Sequence, residues 1–301
     1  MLRLLLVLVA IIVVAVATFW FITVPQTVEA GALAPHTADL VNGKTMFYGG
    51  GCASCHAPNQ EDGSRLGGGV ALKTPFGTFY SPNISSDLND GIGHWSEADF
   101  LSAMSKGSSP DGRHYYPVFP YTSYQHMKQA DIRDLFAYLK TLPSIAGKAR
   151  DHDLPIQFRF RRVLGVWKFL FLDGREFQPV AGKSEHWNRG AYLVNGPAHC
   201  AECHSPRNRL GAIIASERFA GGPDPEGGRG TIPNITPAGI GDYSAQDIER
   251  ILETGDMPDG DSVGGAMRAV VRNTSQLSAA DRSAMAAYIK SLPPVKRSAQ
   301  P

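Results

Sequence analysis

The feature that most constrains this chain is a doubled pattern, Cys52-Ala-Ser-Cys55-His56 and Cys200-Ala-Glu-Cys203-His204, which uses all four cysteines. The copies stand 148 residues apart, and the same offset carries Gly91-Ile92-Gly93 to Gly239-Ile240-Gly241 and Pro110-Asp111-Gly112 to Pro258-Asp259-Gly260. A duplicated unit of about 110 residues is therefore the economical description. Within each copy the helix signals recur in order. Ser96 is placed to cap Glu97–Met104, which runs to Gly107, and Ser244 to cap Ala245–Leu252, which runs to Gly255. A last helix follows in each, with Ile132, Leu135, Phe136 and Leu139 on one face of the first and Met285, Ala286 and Ile289 in the second. Both stop at Leu-Pro. Strand alternation is scarce, so the fold class expected is mainly α, as two tandem units with long loops. Loops of that length need something large to pack against.

Two cysteines three apart can form thioethers to both vinyl groups of one haem while the adjacent histidine ligates the iron, which is the c-type attachment pattern. Zinc sites and dithiol redox motifs share the C-x-x-C spacing. Zinc wants four Cys or His donors per site, and thioredoxin-type chemistry wants a strand–helix context that is missing from the pattern. The expectation is two covalently bound haem c groups held by Cys52, Cys55, His56, Cys200, Cys203 and His204. A charged donor suits a haem propionate, and Arg207 is the candidate, with pairing to a carboxylate as its alternative role. Trp95 and Tyr243 are expected in the crevice walls.

The sixth ligand separates an electron carrier from a substrate-binding iron. Met127 and Met267 are the expected axial ligands, with Met257 competing for the second iron and His126 or His114 as substitutes for the first. The offset carries Phe119 to Met267 and Met127 to Ser275, so the two units are expected to offer methionine from different loop positions. No catalytic residue is expected. A haem enzyme, such as a dihaem peroxidase or a thiosulfate dehydrogenase, is the alternative class. It would need an open or unusually ligated iron, and no cysteine is spare for that.

Leu4–Val24 contains no charged residue, comes directly after Arg3 and ends in Phe19, Trp20 and Phe21 before Pro25. It is long enough to cross the ~30 Å hydrocarbon layer, and the charge bias sends the downstream chain outward. A retained anchor is expected, in a bacterial inner membrane with the soluble part in the periplasm. A cleaved signal peptide, with A-x-A sites at Ala30–Ala32 and Ala32–Ala34, is the alternative. Lys and Arg number 29 against 28 Asp and Glu, a balance that argues against nucleic-acid binding. The expected domains are 1–25, the anchor or signal segment; 36–145, the first haem domain; 146–184, a basic aromatic connector; and 185–295, the second haem domain. The connector's Phe158–Leu172 is apolar, aromatic and basic at once, suited to cover the seam between units, lie on a membrane surface or receive a partner.

At these residues the chain resembles the multihaem cytochrome c subunits of membrane-bound bacterial dehydrogenases, such as those of alcohol and gluconate dehydrogenases. The matching segments include Ser81-Pro-Asn83-Ile84, Gly91-Ile-Gly-His-Trp95-Ser96, Tyr116–Tyr124 with Met127, Arg189–Leu193, His199–Arg207, Pro233-Asn-Ile-Thr236 and Arg272-Asn-Thr274. The resemblance implies cytochrome c domains with His/Met ligation. It also implies a dehydrogenase catalytic subunit as electron donor and quinone, an oxidase or another cytochrome as acceptor. The best-known members carry three haem motifs, and this chain carries two.

Overall fold

The computed structural model describes residues 1–59, 62–225 and 230–298. Helix α1 (Leu2–Ile22) has 21 residues and a mean hydropathy of 3.1, so it is long and apolar enough to cross a membrane. Beyond it the chain runs along the first unit with little regular structure up to Asp39. Val28 N–H donates to Ser102 Oγ at 2.8 Å, Arg133 holds the Ala34 carbonyl at 2.7 Å, and His36 Nε2 meets Asp134 at 2.6 Å.

The first unit comprises α2 (Leu40–Gly49), α3 (Cys52–His56), α4 (Glu97–Leu101), α5 (Tyr121–Tyr124) and α6 (Gln129–Thr141). Asp39 caps α2 by accepting from the amides of Val41 and Asn42. Ser96 and Asp99 form a reciprocal capping box at α4, which widens over Ser102–Lys106 and ends at Gly107 in the left-handed region. A small antiparallel hairpin, β1 (Ala71–Thr74) with β2 (Gly77–Tyr80), covers one edge. The connector forms α7 (Leu164–Phe171).

The second unit repeats the plan with α8 (Glu185–Asn195), α9 (Ala201–His204), α10 (Pro237–Ile240), α11 (Ala245–Thr254), α12 (Met267–Thr274) and α13 (Ala279–Lys290). The capping box returns as Ser244 with Asp247, and Gly255 closes α11. Its hairpin shrinks to β3 (Gly222–Pro223) paired with β4 (Thr231–Ile232). Met267, expected on a loop, opens α12 instead.

In each unit the first helix crosses the last: α2 on α6 and α8 on α13. The crossings close on glycine. A Cβ on Gly43 would overlap the Asp134 carbonyl oxygen, and one on Gly190 the Ala284 carbonyl oxygen. One apolar core runs through both units, from Met46, Leu101 and Leu135 to Leu193, Met285 and Ile289. Helix α7 bridges the seam between them. Trp167 Nε1 donates to the Leu210 carbonyl at 2.9 Å, while the buried Lys168 ammonium donates to the Lys106 and Gly107 carbonyls at 2.7 and 2.5 Å. The seam-covering role expected of the connector is thus met on one face. The other leaves Phe160, Phe169 and Leu170 exposed.

Candidate functional site

Each cysteine pair sits at a sharp entry into a short helix, where residues three apart share a face. Gly51 precedes α3 with φ 57°. In the second unit His199 adopts φ 39° just before Cys200 and α9. All four cysteines are half-buried, and none is joined in a disulfide. Burial pushes the Cys52 thiol up to about 12 and the Cys200 thiol up to about 11, so both are held as neutral thiols.

The two histidines are set alike. His56 Nδ1 lies 2.8 Å from the Pro82 carbonyl, and His204 Nδ1 lies 2.8 Å from the Pro233 carbonyl. A carbonyl can only accept, so each Nδ1 carries the proton and each Nε2 keeps its lone pair. Burial also lowers both imidazole pKa values, which favours the neutral, ligating form. The loops that supply these carbonyls are themselves pinned in the same way. Asn83 donates to the Ile145 carbonyl and accepts from Ser85, while Asn234 donates to the Val295 carbonyl and accepts from Thr236. Gly68 and Gly221 amides return to the carbonyls of His56 and His204 at 2.8 Å each. Sequence reasoning matched both Pro-Asn-Ile segments to the resemblance but gave them no role; their doubling was the available signal.

Each unit also keeps apolar side chains that pack on the core yet stay partly uncovered: Ile84, Trp95 and Phe119 in the first, Ile235, Tyr243 and Met267 in the second. Uncovered apolar surface together with two thiols and a free imidazole nitrogen suits a flat apolar macrocycle, and the residues present fit a haem at both places. Among the described residues no three His, Cys, Asp or Glu side chains gather as a metal-holding cluster, so the zinc reading of the motif has no ligand set.

Met267, the first residue of α12, packs partly covered against the shared core. Met257 lies in the turn bounded by its own amide and the Asp261 carbonyl. Met127 is 2% exposed, inside the shared core, and lies against Gly196 at the end of α8. His114 Nε2 is engaged with the Thr23 carbonyl at 2.9 Å, and His126 Nδ1 with that of Arg175 at 2.7 Å. Arg207 bonds the Glu202 carboxylate at 2.7 Å and the Gly211 carbonyl at 2.8 Å. Arg218, which sequence reasoning missed, is close enough to Glu202 to feel its charge, though burial still lowers its own pKa. Its signal was the pairing of Arg65-Leu66 with Arg218-Phe219.

The two motifs meet across the seam about a pseudo-twofold axis. Asn273 of α12 donates to Ser54 Oγ at 3.0 Å, and the equivalent Ser123, with Thr122, donates to Glu202 at 2.7 Å. Burial raises the Glu202 carboxyl, but Arg207, Thr122 and Ser123 outweigh it and hold its pKa below the usual carboxylate value. Glu202→Gln is expected to cost about 3 kcal/mol at neutral pH, because Arg207 is left without its counter-charge. The wild-type carboxylate contributes stability above its unfolded-state pKa and loses it as pH falls through the lower folded value; the amide has no such acid limb. Urea unfolding across a pH series checks both effects.

Paired attachment motifs on a mainly helical, internally repeated frame define a dihaem c-type cytochrome, a carrier of electrons. The chain belongs to the cytochrome c family: residues 40–143 and 188–293 each match the family model described as cytochrome c. It is similar to a diheme cytochrome c-type protein of Cereibacter sphaeroides, 47% identical over 95% of this chain and 97% of that one. It is also similar to the fructose dehydrogenase cytochrome subunit of Gluconobacter japonicus, 34% identical over 91% of this chain and 57% of that one. A third relative is the gluconate 2-dehydrogenase cytochrome c subunit of Pantoea cypripedii, 32% identical over 88% of this chain and 63% of that one. The chain thus spans nearly the whole of the first relative and somewhat over half of the other two. Two covalently bound haem c groups come with this membership.

Proposed function

We propose that this chain is a membrane-anchored relay, taking electrons from the catalytic subunit of a periplasmic dehydrogenase and passing them to a respiratory acceptor, a cytochrome, an oxidase or quinone. In this reading Cys52 and Cys55 tether one haem and Cys200 and Cys203 the other. His56 and His204 would hold the irons through Nε2, and Met267 would be the further ligand of the second. When bound, the haems supply one-electron redox chemistry. The polypeptide keeps each imidazole neutral and aimed, covers the macrocycles with apolar side chains and sets the two sites against each other across the seam. The observation that carries the reading is the repeated pair of proline carbonyls fixing the two Nδ1 protons. The dehydrogenase partner is supported by the similarity to the fructose and gluconate dehydrogenase cytochrome subunits. Residues 36–145 and 185–295 are the two haem domains, joined by the connector 146–184.

The end of α1 supports a retained anchor. Thr23 is fully buried, Arg162 donates to Thr23 Oγ1 and to the Trp20 carbonyl at 2.8 Å each, and its guanidinium lies 4.1 Å from the Trp20 ring centre. Cleavage after Ala32 or Ala34 would remove packed parts of the first unit. The exposed Phe160, Phe169 and Leu170 then sit beside the anchor's end, where a bilayer surface would cover them.

Purification from native membranes tests the proposal. The expected result is a chain with its amino terminus intact, released by detergent and not by salt, accompanied by a dehydrogenase subunit whose substrate reduces both haems. A soluble, shortened chain would overturn the anchor. Reduction by no co-purifying subunit would overturn the donor.

A further inference from the structure

The internal repeat lets each side chain of one unit be matched to its counterpart in the other, and the match around the sixth coordination position is unequal. Helices α6 and α13 are capped by Lys128 and Ser278, so the residues before these caps, Met127 and Leu277, are counterparts. Their hydrogen bonds agree: Met127 N–H donates to the Tyr124 carbonyl at 2.9 Å, and Leu277 N–H to the Thr274 carbonyl at 3.1 Å. Both side chains are buried in the core. An apolar residue before a helix cap packs back onto the helix's first turn, and Ile132, in that turn of α6, is fully buried too. Met127 therefore does the work that Leu277 does, and leucine has no sulfur to offer.

The counterpart of Met267 comes from the same matching. The 148-residue offset that holds through the two Pro-Asp-Gly turns places it at Phe119, and the 150-residue offset that holds at the last helices places it at Pro117. Neither carries a donor atom. Phe119 shares the partly uncovered status of Met267 at the core's edge. Its ring lies 5.7 Å from that of Tyr124, which in turn is close enough to Cys52 and Cys55 to feel both thiols. Of the other methionines in the first unit, Met46 and Met104 are buried in the core.

We infer that the first haem iron has no methionine ligand, and that its far face, walled by Phe119, is a binding site for a small neutral diatomic molecule such as carbon monoxide or nitric oxide. The inference rests on the two-haem reading, with Met267 closing the second iron. It replaces Met127 as the expected sixth ligand of the first iron.

The test uses the full chain with both haems attached, confirmed by mass, and carbon monoxide as the probe. In the wild type the far-red sulfur-to-iron band of the oxidised protein is expected at the intensity of one haem, and the reduced protein is expected to take up one equivalent of carbon monoxide. Phe119→Met should double the band and abolish the uptake. Met127→Leu, which copies Leu277, should change neither. A Met127→Leu chain that loses band intensity and gains carbon monoxide binding would overturn the inference. So would a wild type that takes up no carbon monoxide, since another side chain would then close the iron. A chain carrying a single haem would overturn the two-haem reading and this inference with it.

Discussion

A chain carrying Cys200→Ala together with Cys203→Ala is expected to mature with one covalently bound haem where the unaltered chain has two. The second site then has no thioether anchor, and His204 alone cannot retain a macrocycle through purification. On the proposed ligation of the second iron by Met267, the far-red sulfur band should vanish entirely while carbon monoxide uptake remains. The reciprocal change, Cys52→Ala with Cys55→Ala, should leave the band and remove the uptake. Mass spectrometry of the exported chain and two optical spectra read all of these outcomes. Retention of two haems in either double variant would show that attachment does not depend on these thiols.

The second large effect is on folding. Gly190→Ala places a methyl group on the Ala284 carbonyl oxygen at the point where α8 crosses α13, and Gly43→Ala does the same on Asp134 where α2 crosses α6. Backbone cannot move aside as a flexible side chain can, so each change forces the helices apart. Overpacking of this kind costs about 3 kcal/mol or more, a large share of a domain's net stability. Gly264→Ala is the control, since nothing lies within 4 Å of a Cβ there and its φ is ordinary. Urea midpoints should fall sharply for the two crossing variants and stay level for the control.

Much of this architecture was written in local pattern. Ser96 and Ser244 announced their helices, the Leu-Pro pairs marked the ends of α6 and α13, and the doubled C-x-x-C-H located both sites. These signals act over a few residues, which is why they are legible. What stayed hidden depends on distant parts of the chain. The Pro82 and Pro233 carbonyls acquire meaning only once their loops fold back over the histidines. Glu202, one of the two variable positions inside the motif, acquires its partners only when Thr122, Ser123 and Arg207 close around it. Met127 shows the limit most clearly. A methionine beside aromatic residues just before the last helix is a reasonable ligand by sequence, and the packing role proposed for it rests on its counterpart Leu277, which no local pattern singles out.

The locked join at Thr23 has a mechanical consequence. Many tethered carriers hang on a slack leash and wander between donor and acceptor, but here the rod and the head are clamped by Arg162, His114 and the close approach of Gly165 to Thr23. Were α1 upright in a bilayer, as proposed, this clamp would fix the tilt of the head, and a partner would meet the same flank at the same height above the lipid.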